Sequence, residues 1–449
     1  MNRENLFEKE SIPKLMIKMC IPAIISILIM IIYNMADMFF IGKTGDAMQV
    51  AAISLSAPIF SILSAIGTLI GGGGCTAIAV ALGKKNTEKA KSMTVFCFYA
   101  SLVIGFGFTI IILLGIEPIL NVIGTSEMTR AFTKDYLQTI FLGAPIILFS
   151  SVSGNIVRAN GASKESMFGN LLGSLTNIVL DPIFILAFGL GVKGAAIATI
   201  IGYTLSSIYF VIYFRKHRDS FSFKLKHLSF KPDVSWKILY LGLPTALGVV
   251  LMSVSNIFTN NILVSYGDAA VAASGIAGRI SMVIGMLQMG ICMGIQPALA
   301  YSHGARNLAR MKEIIKTTAI VTITLGTALT ILGWIFKGPL VVAFVNDAQV
   351  LHFGQRMIIG NLIAGPVIGL FYLSTGYLQS IEKAGVATFT SLLRQGIVYI
   401  PVLLIMNATF ELNGIIFSHA IADILSTGVA VLICASTYRG LVKQKDSNV

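Results

Sequence analysis

Apolar stretches long enough to cross a lipid bilayer recur along almost the whole chain, separated by short polar connections. Hydrocarbon offers no hydrogen bonds, so a backbone that crosses it must satisfy its own polar groups, as a helix does. A crossing needs about 20 apolar residues. Twelve segments qualify: roughly 14–41, 49–81, 93–115, 132–157, 165–188, 193–214, 235–264, 270–300, 314–336, 351–378, 385–407 and 413–436. The second and eighth exceed the need and are expected to tilt or to extend past the membrane. Composition agrees: 12% of residues are charged, against about 25% in soluble proteins. The expected fold class is an all-α polytopic membrane protein with twelve transmembrane helices.

The net charge of +13 would hint at nucleic acid in a soluble chain. Here the basic residues collect in alternate loops, so topology explains them and no nucleic-acid partner is expected. Lys84, Lys85, Lys89, Lys91, Arg158, Lys164, the linker 215–237, Arg306, Arg310, Lys312, Lys316 and Lys383 fall on one side. The other side holds only a few, among them Lys43, Arg130, Lys134 and Arg356. The positive-inside rule then puts both termini and the linker in the cytoplasm, in a multi-pass protein of the cytoplasmic membrane. Five dispersed cysteines without a CxxC pair predict neither disulfides nor a metal site. The first span is too long for the apolar core of a cleavable signal.

The chain repeats itself. Shifted by 222 residues, Pro22 meets Pro244, Asn34 meets Asn256, and Gly45-Asp46 meets Gly267-Asp268. Shifted by 221, Gly83-Lys84-Lys85-Asn86 meets Gly304-Ala305-Arg306-Asn307. Two pseudo-symmetric six-helix bundles follow, residues 1–220 and 235–449, joined by a cytoplasmic linker at 221–234. An even number of helices per half makes the repeats parallel, with a site near their interface.

The repeat breaks at two aspartates inside apolar runs, Asp37 and Asp181, whose counterparts are Thr259 and Ile400. A carboxylate at membrane depth costs several kcal/mol and survives mainly where it faces a cavity and has a task. Ion coupling is therefore expected in the first half, with packing, gating or substrate contacts in the second. Asn177 lies one turn from Asp181 and shares its helix face, and Asn34 is similarly placed to Asp37. Pro182 frees the carbonyl of Ile178 and predicts a kink. Thr199 can bring a hydroxyl to the same level. This set of oxygens suits a proton or Na⁺, the latter held by Asp37, Asn177, Asp181 and Thr199. An intramembrane aspartate can also pair with an arginine or cap a broken helix, and Arg279 and Arg394 lie in apolar spans.

Other motifs read as packing. Gly71-Gly72-Gly73-Gly74 lacks the phosphate-loop frame and suits close helix contact. The eighteen methionines serve as core and lipid-facing filler before they serve as a ligand surface. The five histidines are dispersed and no nucleophile motif appears, so no enzyme and no cofactor are expected. No nucleotide-binding loop is present to power transport.

The segments Tyr33-Asn34-Met35-Ala36-Asp37-Met38-Phe39-Phe40-Ile41-Gly42, Arg158-Ala159-Asn160-Gly161, Asn177-Ile178-Val179-Leu180-Asp181-Pro182 and Gly194-Ala195-Ala196-Ile197-Ala198-Thr199 together resemble the MATE (multidrug and toxic compound extrusion) family, in its DinF-like branch. The resemblance spans essentially the whole chain. It implies two six-helix lobes and efflux of drugs or toxic amphipathic, often cationic compounds by a monomer in exchange for H⁺ or Na⁺. It also implies that Asp37, Asp181, Asn177, Thr199 and Asn34 form the cation-coupling site. Tyr33, Asn155, Asn256, Asn260, Arg279 and Gln288 are the polar residues expected to contact substrate. No match is seen to the acidic residue that other branches place in the seventh or eighth span. A lipid-precursor flippase of the wider superfamily is the alternative, with a facilitator-type transporter, a pore and a membrane enzyme behind it.

Overall fold

The structure, a computed structural model, describes residues 4–218, 221–345 and 347–446; the expected lobe ends at residues 1, 220 and 449 lie outside them. Among the described residues there is no strand. A π-helical turn, Asn5–Lys9, leads into α1 (Ile12–Gly42), α2 (Ala47–Gly83) and α3 (Thr87–Val122). The first half continues with α4 (Glu127–Leu142), α5 (Ala144–Ala159), α6 (Ser163–Asp181), a π-helical segment Pro182–Ala187, and α7 (Gly191–Lys216). The second half runs through α8 (Ser235–Leu263), α9 (Asp268–Gly304), α10 (Leu308–Ile335), the short α11 (Lys337–Val342), α12 (Ala348–Leu362) and α13 (Gly365–Ser380). It ends with α14 (Ala384–Leu392), a π-helical turn Leu393–Ile397, and α15 (Tyr399–Asp446).

Local chemistry sets several of these boundaries. Asp46 caps α2 by accepting from the Met48 N–H, and Asn86 and Asn307 cap α3 and α10 in the same way. Ser126 and Thr129 form a reciprocal capping box on α4. Gly45 and Gly267, equivalent in the repeat, take left-handed φ of 75° and 91° in the turns before α2 and α9.

Among the described residues, nine helices are long and apolar enough to span, and two bent pairs raise the count to eleven. The last of the nine, Ala384–Lys443, is broken at Glu411, where φ is 53° and ψ is −135°. At 1.5 Å per residue, its 60 residues suffice for two crossings, which accounts for the twelfth span. The fourth and tenth spans, each read from sequence as one span, are the bent pairs: α4–α5 turns by 55° and α12–α13 by 45°. Each second limb opens with a proline, Pro145 and Pro366, which cannot donate to the preceding turn.

The halves meet mainly through α2 against α8 and α9 and through α1 against α9. A Cβ on Gly73 would stand 2.0 Å from the Ile238 carbonyl oxygen, and one on Gly242 1.8 Å from that of Leu69. Likewise, Gly83 lies against the Tyr301 carbonyl and Gly304 against that of Val80. The four-glycine run is therefore a close-packing surface, not a ligand loop. Gln296 extends this seam by donating to Thr76 Oγ1 at 3.1 Å and to Gln379 Oε1 at 2.9 Å. All of these contacts lie toward the end that carries the basic loops. There residues 73–83 of α2 are buried throughout, whereas residues 47–62 alternate between exposed and covered.

Candidate functional site

Three helix segments of the first half converge near the end opposite the basic loops. Asp37 stands five residues before the end of α1, Asp181 closes α6, and Thr199 lies about two turns into α7. Pro182 begins the π-helical segment directly after Asp181. The missing proline N–H accounts for the break in the α-helical ladder, and π-helical turns occur frequently at functional sites. The second half also carries a π-helical turn, Leu393–Ile397, but it precedes Pro401 where the first-half segment follows Asp181 and begins at Pro182.

The carboxyl groups of Asp37 and Asp181 lie close enough to interact. Two ionised carboxylates this close repel, and one proton or cation between them would relieve that repulsion. Asp181 is 0% exposed and Asn177 2%. One turn apart on α6, they are the pair expected from spacing. The Asn177 amide lies between Asp37, Asp181 and Thr199, and the surrounding donors and acceptors decide its orientation. In one orientation its nitrogen donates to Asp181 Oδ1 at 3.3 Å and to Thr199 Oγ1 at 3.2 Å. In the other, the nitrogen donates to Asp37 Oδ1 at 3.1 Å, and the amide oxygen accepts from the Thr199 hydroxyl and N–H at 3.2 Å. The second orientation matches every donor with an acceptor. No N–H or hydroxyl donor among the described residues reaches Asp181 Oδ2.

Aromatic hydroxyls surround the pair. Tyr33, 8% exposed and one turn before Asp37, lies beside Tyr203, and Tyr136 lies near both aspartates. Tyr33, expected to contact substrate, thus belongs beside the acids. Tyr136 and Tyr203 were not foreseen. Tyr203 stands four residues after Thr199, and that spacing was the available signal. Asn34 is exposed and takes part in none of the side-chain hydrogen bonds at the site.

The remaining expected contacts scatter. Asn155 donates to the Ser151 carbonyl at 2.9 Å, accepts from Arg158, and packs beside Gly71. Gln288 is wholly buried and donates to the Gly365 carbonyl at 2.9 Å, which makes it a strut between α9 and α13. Asn256, Asn260 and Arg279 are exposed on α8 and α9.

In the second half a neutral pair replaces the acids. The Thr259 and Tyr399 hydroxyls lie 2.6 Å apart. The expectation that only the first half keeps membrane-depth carboxylates is corrected by Asp423 in α15. Its Oδ1 accepts from Arg394 Nε at 2.7 Å, and both side chains are about four-fifths or more covered. Arg394 also donates to the Tyr372 hydroxyl at 3.3 Å and lies 5.2 Å and 5.3 Å from the Phe371 and Tyr372 ring centres. A guanidinium with a bonded carboxylate and two aromatic faces is a compensated structural charge.

Comparison with known proteins places this geometry in a family. The MatE family model matches twice, over residues 22–183 and 244–405, two blocks displaced by the same 222 residues as the repeat. The multidrug export protein MepA of Staphylococcus saprophyticus is 34% identical over 95% of this chain and 94% of its own length. MepA of Staphylococcus haemolyticus is 34% identical over 98% and 97%. Among solved structures, an outward-facing multidrug resistance MATE transporter superposes with a TM-score of 0.93 at 24% identity, covering 99% of both chains. A MOP-superfamily transporter from Pyrococcus furiosus superposes with a TM-score of 0.92 at 23% identity, covering 98% of both.

Proposed function

The chain belongs to the MATE family of transporters, and we propose that it exports amphipathic, often cationic organic compounds across the cytoplasmic membrane in exchange for H⁺ or Na⁺. It is a multi-pass membrane transporter, not an enzyme. The observation that carries the antiport reading is the proximity of Asp37 and Asp181, with the Asn177 amide beside both. A carboxyl pair at membrane depth with one undonated oxygen is a place to load and discharge a single positive charge.

The proposed cycle follows from linkage. The basic loops put the densely packed end in the cytoplasm, so the Asp37–Asp181 end loads from outside. Loading relieves the repulsion between the two acids and draws α1 toward α6. The π-helical segment after Asp181 absorbs the shift. Substrate and cation then favour opposite arrangements, each weakening the other by the same factor. One charge moving down 100 mV and one pH unit supplies about 2.3 and about 1.4 kcal/mol, enough for a substrate gradient above roughly a hundredfold. The route lies between two halves of one chain, so a monomer suffices.

The test is ethidium efflux from proteoliposomes under separately imposed pH and Na⁺ gradients. Efflux driven by one gradient, and reduced at least roughly tenfold in Asp37→Asn, is expected. Full efflux in both Asp37→Asn and Asp181→Asn, at equal protein content, overturns the coupling role.

A further inference from the structure

The repeated loops Gly83-Lys84-Lys85-Asn86 and Gly304-Ala305-Arg306-Asn307 face each other across the seam between the halves. They are built alike. Lys85 and Arg306 adopt left-handed φ of 57° and 54°, Asn86 and Asn307 each cap the next helix, and Gly83 and Gly304 each abut a carbonyl of the opposite half. Between them lies a pocket of about 420 Å³, within the range of small-ligand sites.

Its lining is strongly one-sided. Lys84 and Lys85 enter from the first half, Arg306 and Arg310 from the second, against one carboxylate, Glu8. Glu8 already accepts from the Tyr301 hydroxyl at 2.9 Å. Glu382 lies 3.6 Å from Lys84, and Arg310 donates to the Phe7 and Glu10 carbonyls. Lys85 and Arg306 have no ion-pair partner among the described residues. The Ser302 hydroxyl, on the same wall, is 2% exposed and without a hydrogen bond. Packing the halves together therefore gathers four cations from two sides into one concavity and leaves a buried donor unused. Like charges brought together oppose that packing unless an anion sits among them. A general positive-inside bias puts cations on this face, but it does not direct cations from both halves into one pocket.

We propose that this pocket binds a phosphate group between the two halves, and that the bound anion holds the basic ends of the lobes together. Guanidinium and ammonium donors suit tetrahedral phosphate oxygens. Inorganic phosphate and the headgroup of an anionic phospholipid share that chemistry. Binding needs walls from both halves, so by linkage the anion favours the arrangement in which this end is closed. The binding step is independent of the transport reading; only its effect on turnover rests on it.

The test is thermal unfolding of the full chain in neutral detergent with inorganic phosphate or chloride at equal ionic strength, and in phosphatidylcholine vesicles with or without phosphatidylglycerol. Wild type is compared with K85A/R306A and with K226A/K231A, which removes two exposed charges from the linker on the same face. Saturable stabilisation by phosphate, or by phosphatidylglycerol alone, is expected for wild type and K226A/K231A, and the effective probe names the source. In K85A/R306A the half-saturating concentration rises roughly tenfold or more, as loss of two charge-assisted contacts predicts. Stabilisation no greater than that of the reference medium, or equal loss in both double variants, overturns the proposal.

Discussion

Thr259 and Tyr399 join α8 to α15 through hydroxyls 2.6 Å apart, and Thr259 is the repeat counterpart of Asp37. The first half places two acids at this junction and the second half two neutral hydroxyls. The asymmetry is what the proposed division of ion coupling to the first half and anchoring to the second rests on. Thr259→Val or Tyr399→Phe is expected to lower unfolding stability by about 1–2 kcal/mol through the lost buried hydrogen bond. The ion dependence of ethidium efflux stays unchanged. Thermal unfolding and gradient-driven efflux on the same preparations check both halves of this statement.

Asn177 is expected to matter for transport beyond its effect on stability. Asn177→Leu keeps the branched shape but removes the amide that lies against Asp37, Asp181 and Thr199. Efflux falls at least roughly tenfold, while the unfolding free energy changes by about 1–3 kcal/mol. Folded protein with undiminished efflux would show that the bridging amide is dispensable.

Removing Asp423 strands the Arg394 charge beside two aromatic rings, so Asp423→Ala is expected to cost about 3–5 kcal/mol. Replacing both partners, as Arg394→Met with Asp423→Leu, recovers most of that loss. A double-mutant cycle of unfolding free energies measures the coupling; additive losses would contradict a paired structural role.

The glycine seam offers a comparison with its own control. Gly73→Ala drives a methyl into the Ile238 carbonyl, whereas Gly72→Ala meets nothing nearer than Thr245 Oγ1 at 3.9 Å. The first is expected to destabilise by about 1–3 kcal/mol and to open the basic end to thiol reagents. The second leaves both properties near wild type. Melting temperatures and labelling of a cysteine introduced beside the seam separate the two.

Glu382 ties the halves on the same face. It pairs with Lys84 from the first half and Lys237 from the second. Partial burial works against its carboxylate, yet the Lys237 hydrogen bond and the charges of Lys237 and Lys84 outweigh it and hold the pKa below its usual value of 4.5. A depressed folded-state pKa contributes stability that is present above 4.5 and lost as pH falls through the lower, folded value. Wild type should therefore lose more stability than Glu382→Gln between pH 5 and about 3, and the two curves converge at the acid end. Parallel curves would show that the bridge adds nothing.

Much of the candidate site was legible because a carboxylate inside an apolar run has few explanations. Asp37 and Asp181 stand out for that reason, and helical spacing brings Asn177 to Asp181. Spacing misled at α1: Asn34 and Tyr33 both lie within one turn of Asp37, but the buried neighbour is Tyr33. Tyr136 and Tyr203 carried no signal as single residues, since a tyrosine in an apolar span is unexceptional. Asp423 was as anomalous as Asp37. It was missed because the repeat was read at the counterparts of the two first-half acids, and its partner Arg394 lies 29 residues away in sequence. Helix existence followed from hydropathy, whereas the 55° and 45° bends depend on how Gly143 and Gly365 pack against neighbouring helices.

The most direct test of the Asp37–Asp181 pair is ethidium affinity for the purified chain, titrated across pH 5–9 and across Na⁺ concentration. The account predicts that affinity weakens as the coupling ion rises, by up to about tenfold per tenfold change in that ion, and that Asp37→Asn/Asp181→Asn binds ethidium with no such dependence. An undiminished dependence in the double variant, or none in the wild type, would contradict it.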